Sequence, residues 1–281
     1  MSSLSTLIQI ELYKIFSKGR TYIGFGAIFL IILFIQLGIY VEGQNVFDFI
    51  TQQLGQTFEF EGNVINGYLI SYIVLNTLWI HVPILVALVT GDLISGEANK
   101  GTFRLLLTRP ISRTKLLIAK FLAGWTYLLL LIIFMSAVGM GIGLLIFGKG
   151  DLMVFRESIN FFAADELPWR FVSAYLFGML SMTVVASLAF MLSAFSSNSI
   201  GPIIGSVAII IGVTIISTIG FTWMKHINPY LFTTYLPGWQ VFFDYELDTA
   251  LLIRSVVVQV VYLILFLGTA LIYFRKKDIL S

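Results

Sequence analysis

Residues 171–221 read FVSAYLFGMLSMTVVASLAFMLSAFSSNSIGPIIGSVAIIIGVTIISTIGF, and this stretch contains no charged side chain. A helix crosses a hydrocarbon core of about 30 Å with about 20 apolar residues, so the stretch is too long for one span. Its middle, from Ser193 to Pro202, is rich in serine, asparagine and glycine, which favour turns. The stretch therefore predicts two membrane-spanning helices joined by a very short loop.

The rest of the chain has the composition of a membrane protein. Of its 281 residues, 58% are hydrophobic and 11% are charged, whereas roughly 25% are charged in soluble domains. Four further apolar stretches reach the length of a span. The predicted fold class is an all-α polytopic membrane protein that forms one domain over residues 1–281. Its six spans are predicted at 21–41, 67–91, 117–147, 171–195, 200–221 and 254–274.

The basic residues divide the loops into two groups. The first tail, the 92–120 loop and the last tail hold 12 of the 17 Lys and Arg residues and four acidic residues. The loops of the other side hold five basic and 11 acidic residues. Because basic loops stay on the cytoplasmic side, this distribution predicts six spans with both termini in the cytoplasm.

The segments outside the spans carry apolar patterns of their own. Before the first span, helical spacing is kept by Leu4, Leu7, Ile8, Leu12 and Ile15, with Glu11 interrupting the stripe. This pattern predicts a helix lying in the inner interface, and an ordinary juxtamembrane tail is the alternative. The apolar run that follows is too long for the h-region of a cleaved signal peptide. On the outer side, segment 42–66 is expected to lie along the surface, and the aromatic-rich segment 222–250 is expected to dip into the outer interface or rest on it.

Catalytic chemistry is missing from the sequence. The chain has no cysteine and two histidines, His81 and His226, which cannot form a tetrahedral zinc site alone. Residues 143–149 fit G-x-x-x-x-G-K, but a P-loop needs Ser or Thr next, where Gly150 stands. The sequence therefore predicts no catalytic residue, no metal site and no cofactor in this chain. An enzyme and a nucleic-acid-binding protein are both disfavoured, the latter because the basic residues follow the membrane face.

The middle of each predicted span contains no Asp, Glu, Lys or Arg. Carriers driven by ion gradients generally need such groups, so the sequence argues against that class. The polar side chains that remain are Gln36, Asn76, His81 and Gln259, besides scattered Ser and Thr. We consider these four as a possible translocation path, although an interhelical hydrogen bond explains each of them as well. If the chain moves a substrate against a gradient, the energy has to come from a partner.

The largest inner loop is the candidate for that partner contact. Residues 95–117 read SGEANKGTFRLLLTRPISRTKLL. Ser95 is predicted to cap one short helix, Gly101 to interrupt it, and Thr102 to cap a second helix over Phe103–Thr108. In the second helix one apolar face is formed by Phe103, Leu106 and Leu107, away from Arg104 and Arg109, and Pro110 ends the helix. A loop that served only topology or anionic lipid would need the charges but not this pattern.

Residues 96–120 resemble a segment of ABC-2 type permeases, which are membrane subunits of ATP-binding-cassette exporters. The shared pattern is G-E-x-x-x-G-T-x-x-x-L-L-x-x-P-[IV]-S-R, followed by a lysine that corresponds to Lys120. The chain length and the six-span topology are similar to this family as well. Within it, the chain resembles the branch that includes the permease for maturation of nitrous-oxide reductase.

The resemblance implies a role for the loop between the second and third spans. In the family, this loop carries a coupling helix that fits into a cleft of the ATPase subunit. The residues assigned to ATPase coupling by the resemblance are Gly96, Glu97, Gly101, Thr102, Phe103, Arg104, Leu106, Leu107, Arg109, Pro110, Ser112 and Arg113. The N-terminal interfacial helix would be the family's elbow helix.

The resemblance also implies partners. Two ATPase subunits would hold the ATP and Mg, and a second copy of this chain or a related permease would complete the pathway at a dimer interface. The chain would then be a multi-pass protein of the cytoplasmic (inner) membrane of a prokaryote, in contact with membrane lipids. The alternative is a membrane anchor, signalling subunit or envelope scaffold that uses the same ATPase contact without transport. The sequence leaves the cargo open.

Overall fold

The computed structural model describes residues 3–51, 64–99, 101, 112–156, 159–219 and 221–277. In chain order, these residues form α1 (Leu4–Phe16), α2 (Gly19–Thr51), α3 (Gly67–Thr90), α4 (Ser95–Asn99), α5 (Arg113–Phe147), β1 (Leu152–Phe155), β2 (Ile159–Phe162), α6 (Leu167–Phe195), α7 (Ile200–Ile219), α8 (Met224–Ile227), two 3-10 helices (Asn228–Tyr230 and Phe232–Phe243) and α9 (Thr249–Lys276). The described chain is therefore mostly helical.

Six of these helices are long and apolar enough to cross a membrane: α2 over Gly19–Gly43, α3, α5, α6, α7 and α9. This confirms the six predicted spans as helices and the coarse architecture of a multi-pass membrane protein. The charge-free stretch is divided where the turn residues predicted it, since α6 ends at Phe195 and α7 begins at Ile200. In the short loop, the Ser196 hydroxyl accepts a hydrogen bond from the Asn198 amide at 3.0 Å.

Several boundaries differ from the prediction, and one of them is the start of α5 at Arg113 rather than at 117. Helix α2 continues past residue 41 to Thr51, so the first part of segment 42–66 is helical. Helix α6 begins at Leu167 and includes the charged Arg170, with a proline in its first turn, where the missing N–H costs nothing. Helix α9 begins at Thr249 because Asp248 caps it and accepts a hydrogen bond from the Leu251 amide at 2.9 Å.

Helix α6 lies at the centre of the packing. In the most apolar 18-residue stretch of α6, 72% of the residues are buried inside the protein. The corresponding share is 17% in α7 and 17% in α9. Helices α3, α5, α7 and α9 all contact it. Close approach to α3 depends on Gly178, whose missing side chain leaves room for the ring of Trp79. The Trp79 indole in turn donates a hydrogen bond to the Leu236 carbonyl at 2.8 Å, which fixes the long 3-10 helix against α3.

The predicted outer end contains a β-hairpin, which the all-α prediction missed. Strands β1 and β2 are antiparallel, with Leu152 opposite Phe162 and Phe155 opposite Ile159. The strands have four residues each, too few for hydropathy to reveal a period. The hairpin does not disturb the spans, since it lies between the end of α5 and the start of α6.

Buried Arg170 joins the hairpin to the aromatic segment. Its Nη1 donates hydrogen bonds to the carbonyl oxygens of Phe242, at 2.8 Å, and Asp244, at 3.1 Å. Its guanidinium carbon lies 4.1 Å from the ring centroid of Phe162, a cation–π contact. The aromatic segment itself is divided: the buried rings, which pack inward, are Phe232, Tyr235, Trp239 and Phe243, and the exposed rings are Trp223, Tyr230 and Tyr245. The exposed set agrees with a segment that rests on the predicted outer interface, and the buried set agrees with a segment that dips inward.

Candidate functional site

The candidate site is the loop between α3 and α5. The structure describes its two ends, at residues 95–99, 101 and 112. Helix α1 packs along α5, and its buried face consists of Leu7, Glu11 and Ile15. Glu11 is therefore not a break in the apolar stripe but a buried carboxylate within it. On the neighbouring elements, Glu97 in α4 and Lys120 in α5 face the same point. Together with Lys14 of α1, the side chains of Glu11, Glu97 and Lys120 form a closed ring of ion pairs.

The ring alternates two acids and two bases. The Lys120 ammonium lies 2.8 Å from Glu11 Oε2 and 2.7 Å from Glu97 Oε1. The Lys14 ammonium lies 2.7 Å from Glu11 Oε1 and 2.7 Å from Glu97 Oε1. The side chain of Lys120 is only 1% exposed and that of Glu11 only 4%. Buried charges are costly unless they are paired, and this charge quartet (Glu11, Lys14, Glu97 and Lys120) satisfies that condition with no net charge.

The charge quartet shifts the protonation equilibria of its outer members. Burial alone would raise the pKa of the Glu97 carboxyl, but the charge of Lys120 and the hydrogen bonds from both lysines lower this pKa below its ordinary value. Burial alone would lower the pKa of Lys14, but hydrogen bonds to Glu11 and Glu97 raise this pKa. Both groups are therefore held in their charged forms.

A second ion cluster lies beside the charge quartet. The carboxylate of Asp92, 3% exposed as a residue, accepts from Lys18 at 2.9 Å and also pairs with Arg20. One helical turn later stands Gly96. A Cβ built on Gly96 would lie 2.6 Å from Asp92 Cγ and would overlap the carboxylate oxygens. The glycine of the motif is thus needed for the Asp92 side chain to fit.

Replacing Gly96 with Ala is expected to destabilise the protein by about 1–3 kcal/mol, because Asp92 has to leave its ion pairs or the turn has to move. The measurement is thermal unfolding in detergent. The matched control is Gly26→Ala, since a Cβ on Gly26 meets nothing within 4 Å. The control is expected to be neutral or stabilising. Equal melting temperatures for the two variants would contradict this role of Gly96.

The backbone amides at the start of the loop are capped by Ser193 of the central helix α6. The Ser193 hydroxyl accepts hydrogen bonds from the amides of Ile94, at 3.1 Å, and Ser95, at 2.9 Å. Ser95 itself donates its hydroxyl to the Gly91 carbonyl at 2.8 Å. The prediction that Ser95 caps this helix is therefore wrong: the oxygen that accepts its first amides comes from α6. The interruption at Gly101 agrees with the structure, because α4 ends at Asn99 and Gly101 has a φ of 67°.

The far end of the loop is fixed to the last helix. Ser112 occupies the N-cap position of α5 with extended backbone, although its side chain makes no capping hydrogen bond. Arg113 Nη1 donates to the carbonyl oxygens of Arg275, at 3.2 Å, and Lys277, at 2.7 Å. Arg113 thus satisfies carbonyl groups at the end of α9 that the helix leaves without partners. The coupling residues Thr102, Phe103, Arg104, Leu106, Leu107, Arg109 and Pro110 lie outside the described residues.

The charge quartet and the Asp92 cluster were missed from the sequence. The residues that sequence reasoning did not single out for the site are Glu11, Lys14, Lys18, Arg20, Asp92, Lys120 and Ser193. The sequence held a signal for Glu11, because an acidic residue inside the apolar stripe of a helix needs a buried partner. Lys120 is part of the motif that resembles ABC-2 permeases, but the sequence did not indicate its buried carboxylate partners. The contacts themselves join residues as far apart as 109 positions, which no local pattern reveals.

The four polar side chains considered for a translocation path do not meet at one place. Gln36 donates to the Gly139 carbonyl at 2.9 Å, between α2 and α5. Gln259 donates to the Tyr235 carbonyl at 3.3 Å, between α9 and the long 3-10 helix. Both glutamines are buried, at 2% and 0% exposure. The structure therefore gives each of them the hydrogen bond between elements that was the alternative explanation.

Asn76 and His81 both belong to α3, where Asn76 is half-buried and His81 is exposed. Asn76 accepts a hydrogen bond from the Gln240 side-chain amide at 2.9 Å. The ring of exposed His81 is hydrogen-bonded to the Thr77 carbonyl of its own helix, at 2.8 Å. Two cavities open along α3. The first, of about 550 Å³, is lined by Tyr72, Ile73, Asn76, Thr77, Phe155, Arg156 and Gln240. The second, of about 320 Å³, lies between α3, α7 and the long 3-10 helix and has mainly apolar walls, among them Ile80, Ile84, Ile211 and Leu236.

Comparison with known proteins identifies relatives by sequence. The chain is similar to the protein named "Uncharacterized protein YhcI" of Bacillus subtilis (strain 168), with 28% identity over 204 residues. The aligned part covers 68% of this chain and 63% of that relative, which is less than two thirds of its length. The profile of one family, described as "Protein of unknown function (DUF2705)", matches residues 25–280, and the chain therefore belongs to that family.

Proposed function

We propose that the protein is the transmembrane permease subunit of an ATP-binding-cassette exporter in the cytoplasmic membrane of a prokaryote. One observation carries the proposal: the residues that resemble the ABC-2 motif are the points where the loop is attached to the helices. Glu97 is held by α1 and α5, the Gly96 position makes room for Asp92, and Arg113 holds the end of α9. A surface loop that only marked topology would not need these attachments.

The attachments support a route for motion from the loop into the spans. In the proposed complex, two ATPase subunits bind ATP and Mg and press on residues 102–110. Force applied there reaches α1 and α5 through Glu97, and it reaches α9 through Arg113. Ser193 links the same loop to α6, the most buried span. Four helices thus receive a displacement that begins at one loop.

The two cavities along α3 support a path at an interface between permease subunits. The exposed face of α3 that holds His81 is costly in contact with lipid tails, because hydrocarbon offers no hydrogen-bond partner to the imidazole. A second copy of the chain, or a related permease, would cover this face and enclose both cavities. The cargo would then pass between two copies of α3.

The coupling role is tested by a proline at Gly101. Proline fixes φ near −65°, whereas Gly101 has a φ of 67° and donates its N–H to the Ala98 carbonyl at 3.1 Å. We expect Gly101→Pro to lose co-purification with the ATP-binding-cassette ATPase encoded beside the gene, and to lose stimulation of its hydrolysis by tenfold or more. The matched control is Gly148→Pro, which has a φ of 72° at the other end of α5. Full stimulation by Gly101→Pro, or an equal loss in Gly148→Pro, would remove the coupling role.

Transport is distinguished from the scaffold alternative by flux. Inside-out vesicles carrying the permease and the ATPase are incubated with extract of the same cells, with ATP or a non-hydrolysable analogue. Mass spectrometry of the lumen then compares the two conditions. An exporter accumulates at least one compound only with ATP, and Gly101→Pro abolishes that accumulation. A scaffold stimulates ATP hydrolysis and accumulates nothing.

A further inference from the structure

The basic residues at the predicted cytoplasmic ends of the helices fall into two sets with opposite properties. Lys14, Lys18, Arg20 and Lys120 are paired with the carboxylates of Glu11, Asp92 and Glu97. The second set, which we call the basic rim, consists of Arg113, Lys115, Arg275, Lys276 and Lys277. Within the described ranges, no residue of the basic rim forms an ion pair. Each cation of the first set thus has a carboxylate partner, whereas the cations of the second set have none among the described residues.

Two distant parts of the chain form the basic rim together. Arg113 and Lys115 belong to the first turn of α5, whereas the other three stand at the end of α9. Arg113 Nη1 joins the two parts through the carbonyl of Lys277, and the Lys277 ammonium donates to the Ala194 carbonyl at 3.0 Å. The exposed members, Lys115, Arg275 and Lys276, keep their charged groups at the surface.

The basic rim stands where the headgroups of a bilayer would lie. The apolar part of α9 ends at Phe274, and the first buried apolar residue of α5 is Leu116. Long basic side chains at such a level extend toward the phosphate layer. Tyr273, which is 40% exposed, lies one turn from the end of α9 with the Lys277 ammonium 5.7 Å from its ring centroid, an arrangement common at a membrane boundary.

We infer that the basic rim is a binding site for the phosphate headgroup of an anionic phospholipid. Five cations without a carboxylate partner among the described residues create a local excess of positive charge, and an anionic ligand complements it. The ligand is a lipid rather than a free phosphate, because the site adjoins the apolar surface of α9, where Ile272 is 61% exposed. A lipid supplies its headgroup to the cations and its chains to that surface.

The test measures binding of short-chain phosphatidylglycerol and phosphatidylcholine to the full-length protein in a neutral detergent. The test variant is Lys115→Gln with Arg275→Gln and Lys276→Gln. The matched control removes three exposed cations of the other side, with Lys149→Gln, Lys225→Gln and Arg254→Gln. Each basic residue near an anionic lipid surface contributes about fivefold in affinity, so we expect about a 100-fold loss for phosphatidylglycerol in the test variant. The control should change less than about threefold, and phosphatidylcholine binding should not change.

Four results would overturn the inference. The wild type could bind the two lipids equally, which would leave the basic rim with a role in topology alone. The test and control variants could lose equal affinity, which would make net charge the cause. Glycerol phosphate could compete as well as the lipid, which would make the ligand a free phosphate. The test variant could keep phosphatidylglycerol binding and lose the ATPase partner, which would make the basic rim a protein contact. Equal melting temperatures of both variants without lipid exclude misfolding as the cause of a loss.

Discussion

Replacing Lys120 with Met is expected to destabilise the protein by about 3–5 kcal/mol, the range found when one partner of a buried ion pair is removed. Lys120 is 1% exposed and pairs with two carboxylates. Without it, Glu11 and Glu97 share one lysine, and a net negative charge stays buried. In thermal unfolding, the loss corresponds to a decrease in melting temperature on the order of 10 °C.

Two controls separate charge balance from packing in this prediction. Lys115→Met changes an exposed lysine of the same helix and is expected to have little effect. Lys120→Met combined with Glu11→Met leaves Lys14 and Glu97 as a neutral pair, so the double variant should recover part of the lost stability. If Lys120→Met and Lys115→Met melted at the same temperature, the charge quartet would not contribute to stability. If the double variant were the sum of its parts, the four charges would not act together.

The Lys120→Met variant should also change how the stability of the protein depends on pH. The pKa of Glu97 is lowered in the folded protein, so its pairing contributes stability above the unfolded pKa. That contribution is lost as the pH falls through the folded pKa. Because Lys120 is the largest of the favourable causes of this shift, Lys120→Met should weaken the loss of stability on acidification. Melting temperatures over a series of acidic pH values give the comparison with wild type.

The second large effect is expected from Gly178→Ala in the central helix α6. A Cβ at Gly178 would lie 2.7 Å from Trp79 Cζ3 and would overlap the ring further along. Trp79 is 7% exposed and its indole donates a hydrogen bond to the Leu236 carbonyl, so a displacement of the ring would break this hydrogen bond. Overpacking of this kind costs about 1–3 kcal/mol, and loss of the hydrogen bond adds about 1 kcal/mol. The expected decrease in stability is therefore about 2–4 kcal/mol, measured by thermal unfolding in detergent.

Gly212→Ala in α7 is the matched control for this change. A Cβ on Gly212 meets nothing within 4 Å, so the control should be neutral or stabilise the helix by up to about 1 kcal/mol. A smaller ring should relieve the overlap, and we expect Trp79→Phe to be less harmful in the Gly178→Ala background than alone. If Gly178→Ala behaved like Gly212→Ala, α3 and α6 would not be in contact at this point.

The spans could be predicted from the sequence, and the site could be predicted only in part. Length and the absence of charge were enough for six helices, because the hydrocarbon core imposes both conditions. They were not enough for Arg170, which lies inside α6 because carbonyl groups of the long 3-10 helix receive its guanidinium. That partner lies 72 positions away. Contacts of this range depend on how helices pack, which local periodicity does not record.

The 95–112 loop also has features that the sequence predicts and features that depend on packing. Gly101 could be predicted as an interruption, and its φ of 67° is a conformation that favours glycine. The reason for Gly96 could not be predicted, because it depends on the carboxylate of Asp92 one turn before it and on the cations that hold that carboxylate.

The charge quartet also has a consequence for biogenesis. Glu11 emerges from the ribosome 109 residues before Lys120, an interval of about 5–20 s at ordinary rates of synthesis. During that time two spans enter the membrane while the first helix has no place to dock. A nascent chain arrested before Lys120 therefore carries an undocked amino-terminal helix with its acidic side chain in water. Docking of this helix through Lys120 therefore requires the start of the third span to have been synthesised.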